Sequence, residues 1–102
     1  MHFLLLYDVV PDYPTKRIPY RSAHLALAWR AVERGELVLA GPLANPADGA
    51  VFLFKGDSSA AAEAFAAADP YVQNGVVVKW RVREWTTVVG GDAATPVRPA
   101  SA

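Results

Sequence analysis

The chain has 102 residues, of which 53% are hydrophobic, and its ten Lys and Arg residues balance its ten Asp and Glu residues. That length corresponds to a single domain, and the hydrophobic content is sufficient for one buried core. Because the sequence contains no cysteine, disulfides, thiol catalysis and thiolate metal sites are excluded. Nucleic-acid binding is not expected, because the chain has neither net positive charge nor a block of cations to neutralise phosphates.

The apolar run at the N-terminus is too short for a signal peptide and lacks a basic leader. No stretch reaches the roughly 20 apolar residues that span a bilayer. We therefore expect a cytoplasmic protein that does not interact with membranes. The only two histidines, His2 and His24, are far apart, and no group of His, Asp and Glu has the spacing of a metal site. We expect neither a metal nor a cofactor.

The first predicted element is a strand over residues 2–9, which two prolines follow. Its residues are apolar on both faces, which indicates a central position in a sheet. A helix is predicted next over residues 19–34, with Pro19 in its first turn and Gly35 just beyond its end. Helical spacing predicts that His24 lies at the margin of the core face of this helix. The stripe expected to be buried consists of Leu25, Ala28, Trp29 and Val32, and a second, neighbouring stripe consists of His24, Leu27, Ala28 and Ala31.

Two more strands are predicted over residues 36–43 and 50–55, joined by a hairpin loop of Asn, Pro, Asp and Gly. A second helix is predicted from residue 57 to residue 68, rich in alanine and therefore able to pack close to a sheet. Asp69, followed by proline, ends it. The last predicted strand, residues 76–89, alternates apolar residues with Lys and Arg.

The order strand, helix, strand, strand, helix, strand predicts an α+β fold of the ferredoxin-like βαββαβ type with a four-stranded antiparallel sheet. The domain is expected to cover residues 1–89, followed by a flexible tail over residues 90–102, which has no apolar periodicity. Two helices cover only one face of such a sheet. Because the other face is also apolar, we expect a homodimer.

Four segments of the sequence, in this order, resemble the YCII-related (YciI-like) family. They are residues 20–25 (YRSAHL), 35–43 (GELVLAGPL), 69–71 (DPY) and 81–85 (RVREW). The resemblance covers about residues 2–88. It implies a dimeric α+β barrel, in which two ferredoxin-like sheets pack face to face, and a pocket with a His–Asp pair, here His24 and Asp69. A few members of the family resemble dehydrochlorinases, lyases or isomerases that act on small hydroxylated rings.

Each residue of this pair has two interpretations. His24 is suited to proton transfer near neutral pH, or it packs in the core and bonds a carbonyl group. Asp69 can cap the short turn that begins at Pro70, yet it also lies at a helix C-terminus, where the helix dipole disfavours an anion. An imidazolium would relieve that repulsion. A carboxylate has two oxygens, so capping and pairing can coexist.

Five further residues are candidates for binding a substrate: Tyr7, Arg17, Arg21, Tyr71 and Arg81. The arginines can hold a carboxylate or phenolate. Arg81 would do so only if its strand face meets a cavity of the dimer; otherwise it lies on a solvated face. The segment from Asp8 to Tyr20 is either a lid over the pocket or a plain connecting loop.

Two functions follow from these interpretations. The first is a cofactor-free enzyme in which His24, oriented by Asp69, transfers a proton on a small cyclic or aromatic metabolite. The second is a non-catalytic domain that binds a small organic ligand or forms a dimer. Serine hydrolase chemistry is not expected, since no serine has the G-x-S-x-G setting.

Overall fold

Four antiparallel strands form one sheet in the computed structural model, which describes residues 1–100. The strands are β1 (His2–Val9), β2 (Leu37–Pro42), β3 (Gly49–Lys55) and β4 (Val77–Trp85). Their order in the sheet is β2-β3-β1-β4. The central position predicted for β1 from its two apolar faces is therefore confirmed, and β2 and β4 are the edge strands.

Two main helices connect these strands. They are α2 (Arg21–Glu33) and α3 (Ala60–Ala68), while two short helices, α1 (Tyr13–Lys16) and α4 (Pro70–Gln73), and a 3-10 turn (Ile18–Tyr20) lie in the connections. Helix α2 ends at Glu33, and Gly35, two residues later, has a left-handed φ of +77°, a conformation that glycine adopts without steric cost. The predicted ferredoxin-like βαββαβ fold is confirmed, with α1 as an addition that the sequence did not predict.

The core lies between the helices and one face of the sheet. On that face Phe3, Leu5 and Tyr7 of β1 stand opposite residues of β3, and all are buried. Helix α3 adds Phe65 to the same cluster, together with two buried alanines. The alanines let the helix backbone approach the sheet closely, as predicted for this helix.

The predicted core stripe of α2 is right for Ala28 and Val32 and wrong for Leu25 and Trp29. Its buried residues are His24, Ala28 and Ala31, whereas Leu25 is 42% exposed and Trp29 is 64% exposed. The small alanines bring this stripe of the helix against the core, and the larger side chains turn to one side of it. As a consequence His24 is buried on the core side of the helix and keeps 9% of its surface exposed.

The second face of the sheet carries four half-buried apolar side chains, and we call it the open face. They are Leu4, Leu6, Val51 and Leu53. Residues of β4 that stand opposite this row in the sheet include Arg81, which pairs with Leu6, and Arg83, which pairs with Leu4.

Within residues 1–100, no helix has the length and apolarity needed to cross a bilayer.

Strand β4 ends at Trp85, four residues earlier than predicted, because Trp85 pairs with His2 at the start of β1 and the ladder has no partner beyond it. The chain then turns back on itself: the backbone N–H of Val97 donates to the carbonyl of Val88 at 2.8 Å. Thr87 is buried and its hydroxyl bonds Nδ1 of His2. The domain boundary after residue 89 and a flexible tail stay predictions.

Candidate functional site

Asp69 lies at the junction of α3 and α4 and is fully buried. Its backbone is extended, so α3 ends there, and Pro70 begins α4. Oδ1 of Asp69 accepts a hydrogen bond from the backbone N–H of Tyr71 at 3.0 Å. This is the cap that the Asp-Pro pair predicts, since such a cap satisfies an N–H that the helix itself leaves unbonded.

The same carboxylate contacts two side chains from other elements. Nδ1 of His24 lies 2.8 Å from Oδ1 and 2.9 Å from Oδ2. The hydroxyl of Tyr7 donates to Oδ2 at 2.6 Å. Because an ionised carboxylate only accepts hydrogen bonds, His24 donates through Nδ1, which leaves Nε2 as the nitrogen that can accept a proton.

Nε2 of His24 faces a cavity. Within residues 1–100 it has no hydrogen-bond partner, yet every buried side-chain nitrogen and oxygen of that part of the chain has one. Nε2 is therefore accessible, although the residue as a whole is only 9% exposed. His24 lines a cavity of about 330 Å³, and this is the space to which Nε2 is open.

Aromatic rings fix the plane of the imidazole. The ring of Tyr71 stacks on it, with centroids 3.9 Å apart and an angle of 7° between the planes. Phe52 and Phe65 contact it with centroid distances of 6.0 and 6.1 Å at steep angles. The imidazole therefore has little rotational freedom, and its two nitrogens have fixed directions: one towards Asp69 and the other towards the cavity.

The cavity lies between α2 and the edge of the sheet formed by β2 and β3. Its walls are largely apolar, because Leu25 and Trp29 of α2, which are displaced from the core, face it together with Val32. Phe52 and Ala50 form part of the sheet side. Ala50 follows Gly49, where a Cβ atom would lie 2.8 Å from the carbonyl oxygen of Tyr7, so glycine permits the close approach of β1 and β3 at this point.

Two arginines supply the charge of the cavity. Arg17 and Arg21 both line it. Nη1 of Arg17 donates to the hydroxyl of Tyr13 at 3.1 Å, and the guanidinium carbon lies 4.9 Å from the centre of that ring. Tyr13 is buried, so Arg17 is held at the cavity by a fixed partner.

Burial raises the pKa of both tyrosines next to His24. It raises the pKa of Tyr7 far above its usual value, and the nearby Asp69 carboxylate raises it further. Burial, and then the neighbouring Tyr13, raise the pKa of Tyr71 to about 12, although Arg17 and Arg21 act in the opposite direction. Both phenols thus stay protonated at neutral pH: Tyr7 donates its proton to Asp69, and Tyr71 keeps a proton that it can donate.

Six of the seven predicted site residues meet around this cavity: Asp69 behind His24, and Tyr7, Arg17, Arg21 and Tyr71 beside it. The seventh, Arg81, does not. It lies on the open face opposite Leu6, where Nη1 is 3.6 Å from Oδ2 of Asp8. A binding role for Arg81 stays a prediction that requires a second subunit.

Sequence reasoning missed the contribution of Tyr13 and of the α2 wall. Tyr13 lies in the segment expected to be a lid or a loop, and α1 turns its ring inwards against Tyr71, at a centroid distance of 6.2 Å. The signal was the aromatic residue between two prolines.

Within residues 1–100, no three His, Asp or Glu side chains come together in a way that would hold a metal ion.

Comparison with protein families identifies the chain. The model of the YCII-related domain matches residues 1–86, which is most of the sequence. This chain belongs to the YCII-related family. Comparison with curated proteins returned no match.

A solved structure resembles this YCII-related chain over most of its length. It is 5-chloro-2-hydroxyhydroquinone dehydrochlorinase from Burkholderia phenoliruptrix AC1100, in complex with 2,5-dihydroxybenzoquinone. The match has a TM-score of 0.70 and 21% sequence identity, and it covers 85% of this chain and 95% of the other. At that identity the likeness establishes the fold, in agreement with the sheet order and helix placement described above.

Proposed function

We propose that this YCII-related protein is a cofactor-free enzyme that transfers a proton on a small hydroxylated ring, with His24 as the general base and Asp69 as the residue that orients it. One observation carries the proposal: Nδ1 of His24 is bonded to a fully buried carboxylate, while Nε2 opens to an apolar cavity. A general base needs this arrangement, because the proton acceptor must reach the substrate in one fixed tautomer.

In the proposed reaction, Nε2 takes a proton from a ring hydroxyl or C–H group. The imidazolium that forms is stabilised by the Asp69 carboxylate, which remains a hydrogen-bond acceptor throughout and does not itself take the proton. The electron pair of the broken bond enters the ring as an enolate or phenolate. Return of the proton to another ring carbon completes an isomerisation. Where that carbon carries a chlorine it becomes tetrahedral, so chloride can leave with the C–Cl electron pair while a second hydroxyl proton passes through His24 to solvent, and HCl is eliminated.

Other cavity residues support the anionic intermediate. Arg17 and Arg21 present positive charge to the cavity, and Tyr71 retains its proton because its pKa is about 12. Donors that are fixed before the reaction stabilise developing charge without reorganisation, which makes them more effective than water. Tyr7 acts indirectly, as a positioning residue, since its hydroxyl donates a hydrogen bond to Asp69, which in turn orients His24.

A second candidate function is a non-catalytic domain that binds a small ligand. The observation that favours it is structural: through Asp69, hydrogen bonds join β1, α2 and α4. A buried and fully satisfied network of this kind stabilises a fold on its own. In that case His24 would be a structural residue that happens to line the cavity.

Replacement of His24 separates the two functions. Small hydroxylated and chlorinated rings, beginning with 5-chloro-2-hydroxyhydroquinone, are incubated with the protein while absorbance and chloride release are followed. His24→Gln is expected to reduce turnover by about 10²–10⁴-fold, the usual contribution of general acid–base catalysis. His2→Gln is the matched control, because His2 is also buried and hydrogen-bonded but does not line the cavity.

Equal losses in the two histidine variants would contradict a catalytic His24. Circular dichroism of each variant establishes that it is folded before its turnover is interpreted. A ring that binds, but that the unmodified protein does not convert, supports the non-catalytic domain instead.

A further inference from the structure

The two guanidinium groups of the cavity have no acidic partner. None of the residues that line the cavity is Asp or Glu. The arginines of residues 1–100 that form ion pairs are Arg34 and Arg81, and neither Arg17 nor Arg21 does so. Asp69 already accepts from three donors, so it is not free to neutralise them. Unpaired arginines beside an apolar wall favour an anionic ligand, because the attraction between guanidinium and anion offsets the cost of removing each of them from water.

Arg17 is already oriented for such a ligand. Its bond to the buried Tyr13 occupies Nη1, and the face of the Tyr13 ring supports the guanidinium. An arginine held in this way loses less side-chain entropy on binding than a free one. Its remaining N–H groups have no partner within residues 1–100 and can bind the two oxygens of a planar anion side by side.

The position of Arg17 within the cavity indicates how a ligand would be oriented there. Arg17, Tyr13 and Pro42 line both the main cavity and a second, more open hollow beside it, formed by the loop between β2 and β3. Arg17 therefore lies at the boundary of the main cavity, and His24 lies among the aromatic rings of its interior. Tyr71 is near both ends of this arrangement: its ring stacks on His24, and the charges of Arg17 and Arg21 are close enough to act on the pKa of its hydroxyl.

We propose that the natural ligand is a ring acid: a small cyclic or aromatic carboxylate whose carboxylate binds Arg17, assisted by Arg21, while its ring lies against the apolar wall and a ring hydroxyl approaches Nε2 of His24. This deepens the proposed function and rests on the same cavity. Proton transfer at His24 does not itself require a carboxylate on the ring. Turnover therefore tests the proton transfer, and binding affinity tests the ring acid.

Isothermal titration with 4-hydroxybenzoate and 4-hydroxybenzamide tests the ring acid, because these probes share the ring, the hydroxyl group and nearly the same shape. They differ in that the carboxylate is an anion with two acceptor oxygens, whereas the amide is neutral and has one acceptor oxygen and an NH2 donor. The full chain is expected to bind the benzoate at least about tenfold more tightly than the benzamide, the contribution of a charged hydrogen bond. Arg17→Gln is expected to remove this preference, and Arg17→Lys to retain part of it, because lysine keeps the charge but lacks the planar fork. Arg30→Gln is the control, since Arg30 lies exposed on α2 and does not line the cavity.

Equal affinities for the two probes, or no binding of 4-hydroxybenzoate, would overturn the ring acid. An Arg30→Gln variant that loses the preference as fully as Arg17→Gln would also overturn it, because the effect would then be one of overall charge. His24→Gln is expected to keep the charge preference. If that variant loses turnover of a test ring while the unmodified protein has no charge preference, proton transfer by His24 stands and the ring acid is wrong.

Discussion

Asp69 is the residue on which the candidate site depends. A carboxylate with no exposed surface requires hydrogen bonds to offset its lost hydration, and it has three donors: Tyr7, His24 and the backbone of Tyr71. The cap was predictable from the Asp-Pro pair, because it is local. The pairing with His24 came from the family resemblance. The bond to Tyr7 joins residues 62 positions apart, and it depends on how β1 is placed against α4, which no local pattern specifies.

Tyr71 gives a pH dependence whose sign follows from its pKa. The phenol has a usual pKa of 10.0 and a pKa of about 12 in the folded protein. Above pH 10 the unfolded chain releases this proton while the folded chain keeps it, so the free energy of unfolding falls as the pH rises towards 12. Below pH 10 both states hold the proton and the stabilisation is complete.

Tyr71→Phe removes this titration. The free energy of unfolding of the unmodified protein is expected to fall more steeply between pH 10 and pH 12 than that of the variant, measured by urea denaturation. The difference between the two proteins at neutral pH provides the baseline, because it contains the loss of the hydroxyl without its titration. A difference that stays constant across this range would contradict a raised pKa for Tyr71.

At the scale of the elements, helix α2 determines where the cavity lies. The sequence predicted the helix and the glycine just beyond its end, since the terminal signals are local. It did not predict which stripe is buried, because two neighbouring stripes are both apolar and pattern alone does not rank them. Side-chain size decides between them: Ala28 and Ala31 allow close packing against the core, while Leu25 and Trp29 are left as a wall.

A larger residue in the close-packed stripe tests this explanation. Ala31 is 1% exposed, so Ala31→Leu forces added methyl groups into a filled space and is expected to lower the free energy of unfolding by about 1–3 kcal/mol. Ala26→Leu places the same side chain on the exposed side of the same helix and is expected to change stability by less than about 0.5 kcal/mol. Chemical denaturation of both variants measures the difference. Similar values for the two would mean that Ala31 is not close-packed.

At the scale of the whole molecule, the order of the elements was predictable and their limits were less so. Alternation and helical spacing gave the βαββαβ order and the central position of β1. The end of β4 was missed because it depends on the length of its partner: β1 begins at His2, and so the ladder stops at Trp85. The course of the chain from Thr87 to Val97, which bends back on itself, has no periodicity to indicate it.

The open face of the sheet predicts a dimer. Leu4, Leu6, Val51 and Leu53 remain only half-buried in a single chain, although they occupy the middle of the sheet. Packing this face against its copy would remove several hundred Å² of apolar surface from water, worth on the order of 10 kcal/mol before the cost of association. Light scattering at micromolar concentration is expected to give about twice the mass of the chain.

Replacement of two tryptophans on opposite faces of β4 tests which surface would form the dimer. Trp85 stands opposite His2 on the open face and is 48% exposed, whereas Trp80 stands opposite Tyr7 on the helix side and is 36% exposed. Trp85→Glu is expected to shift the protein towards the monomer, because the new carboxylate would be buried without a partner in the interface. Trp80→Glu is expected to leave the mass unchanged. A monomeric unmodified protein would contradict the dimer itself, and dissociation by Trp80→Glu alone would place the interface on the helix side of the sheet.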